Sequence, residues 1–456
     1  MPRSRDLLRR LWSRTNGRKD SDDPDEQPLP EDLSSIEASN ILEARVGKRK
    51  RELGPEDPAT LVSMNNLAFS YWKQGKWKEA EELQLHVIES RKRALGPEDP
   101  VTLSTMASLG FAYWNQGQYK EAEELQVYVL EKRKHLLGLE NSDTLEIMSN
   151  LVCTYLDQGR FKEAEQLQTQ EFELSSRTQG PEHPGTLISM DNLASTYTKQ
   201  GKWAEAESLQ RKVIELYSKS LGPDHPSTLE SIANLASIYQ EQERWKEALD
   251  LHFKVMKARK EVLGPAHPDT LSAMASMGSI YREEKRWEEA EKIDVQVVEA
   301  SIELFGPEDP KTLVAMSNLG STYQSQGRFD EAAVVQEHVV HISIELRGPN
   351  NPSTLTDMAN LGYTYRGQGR LEEAESLEKL VLEARRQVLG PEHPDTLSSM
   401  NNLAFTYRAF GKKEEALLLI GESVETLNRV LGPGHPRTSH STAALNEWRK
   451  EEASGS

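Results

Sequence analysis

Residues 54–80 read GPEDPATLVSMNNLAFSYWKQGKWKEA, and the pattern returns every 42 positions along the chain. Its opening glycine recurs at Gly54, Gly96, Gly138, Gly180, Gly222, Gly264, Gly306, Gly348, Gly390 and Gly432. A fixed period without insertions means that each period is one supersecondary unit stacked on the next. Ten marks delimit nine full repeats.

The punctuation inside a repeat is helical. Of the 22 prolines, 18 lie in the Gly-Pro-x-x-Pro turns and the other four in the first 30 residues, so no proline interrupts a helix. The glycine suits the left-handed position after one helix, the second proline suits the first turn of the next, and Asp57, Asp99 or Asp309 is placed to cap it. Helix A of the first repeat is predicted from Thr60 to Lys73, with Leu61, Met64, Leu67, Ala68 and Tyr71 on one apolar face. A short turn, usually Gln-Gly-Lys/Arg-aromatic, leads to helix B over about Lys78 to Leu95. Tyr71 and Ala80 recur in all nine repeats, which marks them as packing positions.

The ends keep the register. Residues 35–54 are predicted as a lone B helix that caps the array, 55–432 as the nine repeats, and 433–451 as a lone capping A helix followed by a disordered tail at 452–456. Residues 1–34 differ. The first 19 carry seven Lys or Arg and one Asp, and Asp20 to Asp32 is acidic and proline-bearing, so a disordered segment is expected. Leu8, Leu11 and Trp12 could share one face of a basic amphipathic helix, which leaves a targeting peptide or a membrane-surface contact by residues 1–20 as alternatives, and an autoinhibitory role as another.

Composition narrows the function. The 456 residues carry 55 Lys and Arg against 73 Asp and Glu, a net charge of −18, which argues against a nucleic-acid partner. The single cysteine, Cys153, rules out an internal disulfide framework and fits a reducing, cytoplasmic setting. No run of 18 apolar residues exists to span a membrane.

Met64-x-x-Leu67-Ala68-x-x-Tyr71, followed by Ala80, resembles the tetratricopeptide repeat signature, with methionine in place of its first tryptophan. The period, the Gly-Pro-Glu-His-Pro-x-Thr-Leu linker and the Glu-Ala-Glu-x-Leu start of helix B are similar to the repeats of kinesin light chains, and most similar to the light-chain-like arrays of filamentous fungi. The resemblance covers about residues 35 to 451. It implies an all-α, right-handed superhelical solenoid of helix pairs whose A helices line a concave, peptide-binding groove. It also implies that the recurrent asparagine contacts ligand backbone. Authentic kinesin light chains bind the motor heavy chain through a heptad coiled coil, and the 34 residues ahead of this array hold no such pattern, so a motor heavy chain is not expected as partner.

The groove can be read by position. With Leu61, Met64, Leu67, Ala68 and Tyr71 turned to neighbouring helices, positions 62, 65, 66, 69, 72 and 73 and their equivalents face the concavity. Position 66 is asparagine in seven repeats: Asn66, Asn150, Asn192, Asn234, Asn318, Asn360 and Asn402. An amide offers a donor and an acceptor, so such a row can pair with an extended peptide backbone; the alternative is that each amide bridges adjacent A helices. Phe69, Trp72, Phe111 and Trp114 are predicted as an exposed aromatic patch. Glu146, Asp157, Asp191, Glu230 and Glu241 make the middle of the groove acidic, with Lys199 opposing. Arg282, Arg366 and Arg408, with Tyr363 and Phe405 nearby, predict a preference for an acidic or carboxylate-ended segment with an aromatic anchor; ion pairs along the helix surface are the alternative.

No catalytic constellation emerges. His183, His225, His267, His393 and His435 occupy inter-repeat turns too far apart to share a metal ion, and no zinc-protease, P-loop or nucleophile-elbow motif is present. The expectation is a non-enzymatic protein-interaction scaffold or adaptor with no cofactor and no metal. A kinesin-light-chain-like cargo adaptor and an accessory protein supporting a biosynthetic enzyme set are the alternatives. Local irregularity is expected where Glu243 and Lys285 replace the turn glycine and where the third linker, Leu139 to Asp143, lacks both prolines.

Overall fold

The computed structural model describes residues 35–73 and 76–455. These residues are helices joined by short turns, with no strand among them. A lone helix Ser35–Glu52 precedes nine pairs that run from Pro58–Lys73 and Trp77–Leu95 to Pro394–Ala409 and Lys413–Val430, and Pro436–Gly455 closes the array. The A helices begin at the linker proline, or at Ser142 in the third repeat, two residues before the position of the predicted Thr60. The last helix continues past 451 to Gly455, so the tail expected at 452–456 is helical through Gly455. Residues 1–34 lie outside the described residues.

Three kinds of side chain recur in the linkers. The residue before the helix, whether Asp57, Asp99, Asn141, Asn351 or His393, accepts from the N–H two residues on at 2.9–3.1 Å. A threonine two residues into the A helix is buried, and Thr186, Thr228, Thr270, Thr312 and Thr396 donate to the carbonyl of the preceding linker glycine, as Thr186 does to Gly180 at 2.7 Å and Thr270 to Gly264 at 2.9 Å. From the previous B helix, Arg49, Arg133, Arg259 and Arg385 donate at 2.8–3.0 Å to a carbonyl in the next A helix's first turn. The third linker uses Asn141 in this scheme and its A helix starts in phase at Ser142, so losing the prolines causes no irregularity.

The turn within a repeat is equally regular. Glu243 (φ 58°) and Lys285 (φ 61°) adopt the left-handed conformation that Gly201 and Gly327 hold elsewhere, and their N–H groups make the same turn bonds, at 2.9 and 3.0 Å. The expected irregularity at these joints is replaced by backbone strain in an unchanged turn. Over the turn, a Lys or Arg caps the ring of the recurrent tyrosine, from Arg244 over Tyr239 at 3.9 Å to Lys202 over Tyr197 at 5.3 Å. The alanine that opens helix B is at most 2 % exposed in every repeat, from Ala80 to Ala416. A larger side chain there would overpack the joint, at a cost of about 1–3 kcal/mol.

Two compact units divide the chain, Met1–Thr154 and Tyr155–Ser456. In the first, Leu42, Val46, Leu61, Met64, Leu67 and Val87 form one core cluster and Ile88, Leu103, Met106, Leu109, Val129 and Ile147 another. In the second, clusters such as Leu229–Ile232–Val255 and Leu397–Met400–Leu403–Leu427 follow at each joint, and Leu445 and Trp448 of the last helix cover Ala416 and Ile420.

Within the second unit the A helices of successive repeats touch one another directly, and the B helices of successive repeats are farther apart. The more closely spaced layer lies on the inside of a curved stack, so the A helices form its inner wall. The curvature brings the chain back on itself. The turn at Gly159 meets His393 and Pro394, and the turn at Gly201 meets His435; each pair is separated by 234 residues.

Candidate functional site: the inner wall of the A helices

The wall follows from which positions of an A helix remain uncovered. Leu229, Ile232, Leu235 and Ala236 of the fifth repeat are buried, while Glu230 and Asn234 are half-buried and Ser237 and Glu241 are exposed. The equivalents of positions 62, 66, 69 and 73 therefore make the accessible face. Positions 65 and 72, predicted to share it, are largely covered: Asp191 is 8 % exposed and accepts from Gln210 and from Ser231 of the next repeat, at 2.5 and 3.1 Å.

The asparagine row lies on the accessible face. Asn66, Asn192, Asn234, Asn318, Asn360 and Asn402 are half-buried, and Asn150 is buried. Among the described residues none of the seven amides has a hydrogen-bond partner in the protein, and both amide atoms of Asn150 are enclosed without one. Leaving such a group unpaired costs about 1–3 kcal/mol where water is excluded.

The bridge between A helices is made by other side chains. Gln324 donates to the main-chain carbonyl of Asn360 at 2.9 Å and to Thr364 Oγ1 at 2.6 Å. Arg366 reaches the carbonyl of Asn402 at 2.9 Å and Thr406 Oγ1 at 3.1 Å, and Arg282 reaches the carbonyl of Asn318 at 3.3 Å. The neighbour thus holds the asparagine backbone and leaves its side chain unused.

The arginines do not present open forks. Arg282 Nη1 lies 3.1 Å from Asp294 Oδ2 and Arg366 Nη1 lies 3.0 Å from Glu378 Oε1, both carboxylates on the B helix of the same repeat and almost fully buried. Burial pushes both carboxyls up, an effect that hydrogen bonds and the neighbouring guanidinium oppose. Arg408 pairs with Glu451 of the closing helix and stacks over Trp448, 4.9 Å from its centroid. The carboxylates expected from a partner are supplied internally. Sequence spacing places these arginines correctly at position 72. The missed signal lies twelve residues on, where Asp294 and Glu378 stand in place of the glutamine of other repeats.

The aromatic residues separate into two groups. In the first unit Phe69 and Trp72 stack at 5.9 Å, Trp72 meets Phe111 at 5.9 Å, and Phe111 meets Trp114 at 5.4 Å. These rings cover one another and Phe111 is only 5 % exposed, so the exposed patch predicted there is in fact a half-buried ladder. In the second unit Tyr363 and Phe405 remain 45 % and 40 % exposed.

The histidines of the linkers serve as helix caps. Nδ1 of His183, His225, His267, His393 and His435 accepts from a backbone N–H at 3.1–3.2 Å, as the aspartates do in other repeats. Among the described residues no group of three His, Cys, Asp or Glu side chains is placed to hold a metal ion, and no helix is long and apolar enough to cross a membrane.

Comparison with known proteins agrees with the helix-pair architecture. Tetratricopeptide repeat family models match residues 59–135, 143–219, 190–261, 230–300, 269–342, 354–395 and 396–437. No curated protein matches the chain. Among solved structures, the nearly identical TPR-like repeats assigned to a kinesin light chain of Podosopora anserina are 29 % identical over 45 % of this chain and 97 % of that one, with a TM-score of 0.38. BtubC (BKLC) from P. vanneervenii is 21 % identical over 50 % of this chain and 92 % of that one, with a TM-score of 0.42. A Rap protein in complex with Competence and Sporulation Factor is 12 % identical over 77 % of this chain and 99 % of that one, with a TM-score of 0.47. With matched segments running through most of the chain and helix pairs repeating in register, the chain belongs to the tetratricopeptide repeat family.

Proposed function

We propose that the protein is a non-enzymatic, cytoplasmic interaction scaffold that holds an extended segment of a partner protein against the inner wall of its A helices. The observation that carries this reading is the asparagine row of the second unit: Asn192, Asn234, Asn318, Asn360 and Asn402 stand at one helical position, all with amides that have no partner in the protein. An amide presents a donor and an acceptor a few ångströms apart, as a peptide backbone does, and so pairs with a main chain whatever its side chains are. Affinity then comes from the row, and selectivity from positions 62, 69 and 73, which vary along the stack.

Asn192→Ala, Asn318→Ala, Asn360→Ala and Asn402→Ala together test this. These residues are half-buried, so the combined variant is expected to keep the wild-type melting temperature and lose partner proteins in a quantitative proximity-labelling comparison. Equal labelling of the same partners by both proteins would rule the reading out. The narrower roles divide on the partner list. A cargo adaptor of the kinesin-light-chain type brings down a motor heavy chain, and an accessory protein for a biosynthetic enzyme set brings down one abundant enzyme.

A further inference from the structure

The inner wall changes character along the second unit. At position 69 of the repeat it presents Ser195, Ser237, Ser279 and Ser321, and then Tyr363 and Phe405. The hydroxyls of Ser237, Ser279 and Ser321 turn back onto carbonyls of their own helices at 3.0–3.2 Å, leaving a small, smooth surface. The two rings that follow stand out from it. Phe329 flanks Tyr363 at 6.5 Å and packs on the bare backbone of Gly367, where an added Cβ would strike its ring at 2.3 Å. Trp448 meets Phe405 edge-on at 4.9 Å. The guanidinium of Arg366 lies 4.9 Å from the Tyr363 centroid and 5.8 Å from that of Phe405 and forms a floor between them.

That floor carries no net charge to offer. Glu378 neutralises Arg366, whose side chain is only 15 % exposed. The accessible positions of repeat 8 are Thr356, Asn360, Tyr363 and Gly367, and the same four positions of repeat 9 are likewise uncharged, with Phe405 in place of Tyr363. In a chain whose residues are 28 % charged, two successive A helices without a charge at any of their accessible positions make a selective surface, with the Arg408–Glu451 pair at its border. A charged side chain brought onto it would lose water and gain no counter-ion, whereas an apolar one would remove ring surface from water at about 25 cal/mol per Å².

We propose that repeats 8 and 9 anchor an uncharged stretch of the partner segment through an aliphatic or aromatic side chain seated against Tyr363 and Phe405. This rests on the inner-wall reading above. It replaces the acidic segment expected from the arginines, because their carboxylates are already in place. The unpartnered amides of Asn360 and Asn402 hold the backbone on either side of the anchor.

Tyr363→Ser with Phe405→Ser tests the anchor. Serine stands at the equivalent position in four repeats of the same unit, so the double variant is expected to fold. Random dodecapeptides displayed on phage would be selected on the full-length wild type and then assayed as synthetic peptides against both proteins. The expected peptides share one Phe, Trp, Tyr, Leu, Ile or Met flanked by uncharged residues. They bind the double variant at least about tenfold more weakly, and their affinity changes little between low and moderate salt. Enrichment of Asp or Glu with salt-sensitive binding overturns the proposal, as does equal binding to the double variant. Self-association of the wild type that disappears in the double variant also overturns it, by giving the rings to a second copy of the chain. If selected peptides bind the four-asparagine variant as well as they bind the wild type, it is the inner-wall reading that fails.

Discussion

Gly159 lies against Pro394: a Cβ built on the glycine falls 3.3 Å from the proline Cδ, and the ring of His393 is 3.5 Å away. The imidazole of His393, whose Nδ1 caps the helix that follows, also meets the backbone of Asp157, two residues before that glycine. One repeat later, Gly201 and His435 make the corresponding approach. The second unit therefore packs its successive turns on each other through glycine.

Gly159→Asn and Gly327→Asn separate this packing from backbone conformation. Both glycines hold a left-handed φ, +72° and +75°, which asparagine tolerates better than other side chains, but nothing lies within 4 Å of a Cβ at Gly327. The first substitution is expected to destabilise by about 1–3 kcal/mol more than the second, since crowding is the only difference between them. Equal melting temperatures for the two variants would show that the turns do not bear on each other.

Glu171 is a carboxyl in the core of repeat 3, at the position where Val87, Val129, Val213, Val255, Val297, Val339 and Val381 stand in seven other repeats. It is 4 % exposed and accepts from Ser189 at 2.6 Å, Ser175 at 3.2 Å and Gln168 at 2.5 Å. Burial dominates these bonds and pushes its pKa up to about 7. The unfolded chain gives up this proton at lower pH than the folded one, so the contribution of Glu171 to stability is greatest below the ordinary glutamate range and is lost as pH rises to about 7. Glu171→Val is expected to raise the melting temperature at pH 8 and to flatten its decline between pH 4.5 and 7. A variant that keeps the wild-type slope would place the titration elsewhere.

Glu243 and Lys285 hold left-handed backbone angles without being glycine. Replacing each by glycine removes strain of about 1 kcal/mol at no cost in contacts, because the turn bonds are made by backbone. Urea denaturation of the double variant should show a higher midpoint. A midpoint at or below the wild type would mean that these side chains stabilise the turns in some other way.

The fold was legible because its signals are local and repeated nine times over. Glycine and the cap residue fix each linker, with proline in all but the third, and the single-turn spacing of Leu61, Met64, Leu67 and Tyr71 fixes the buried face. The accessible face was half legible. Asn192 and Asn318 are half-buried on the accessible face, since position 66 lies on the side of the helix opposite the core stripe. Arg282 and Arg366 do not face a partner, because position 72 lies at the edge of that stripe and a long side chain reaches inward from there. Whether it does so depends on what stands on helix B, and the carboxylates of Asp294 and Glu378 decide it. The meeting of Gly159 with Pro394 depends on the rotation accumulated over several repeats, which no local pattern encodes.

The most direct test is the affinity of one captured partner segment, as a synthetic peptide, for the wild type and for the variant with Asn192, Asn318, Asn360 and Asn402 replaced by alanine. Pairing of the segment's main chain with the amides predicts that Kd rises at least about tenfold, equivalent to about 1.4 kcal/mol, at an unchanged melting temperature. An unchanged Kd in a folded variant would contradict it.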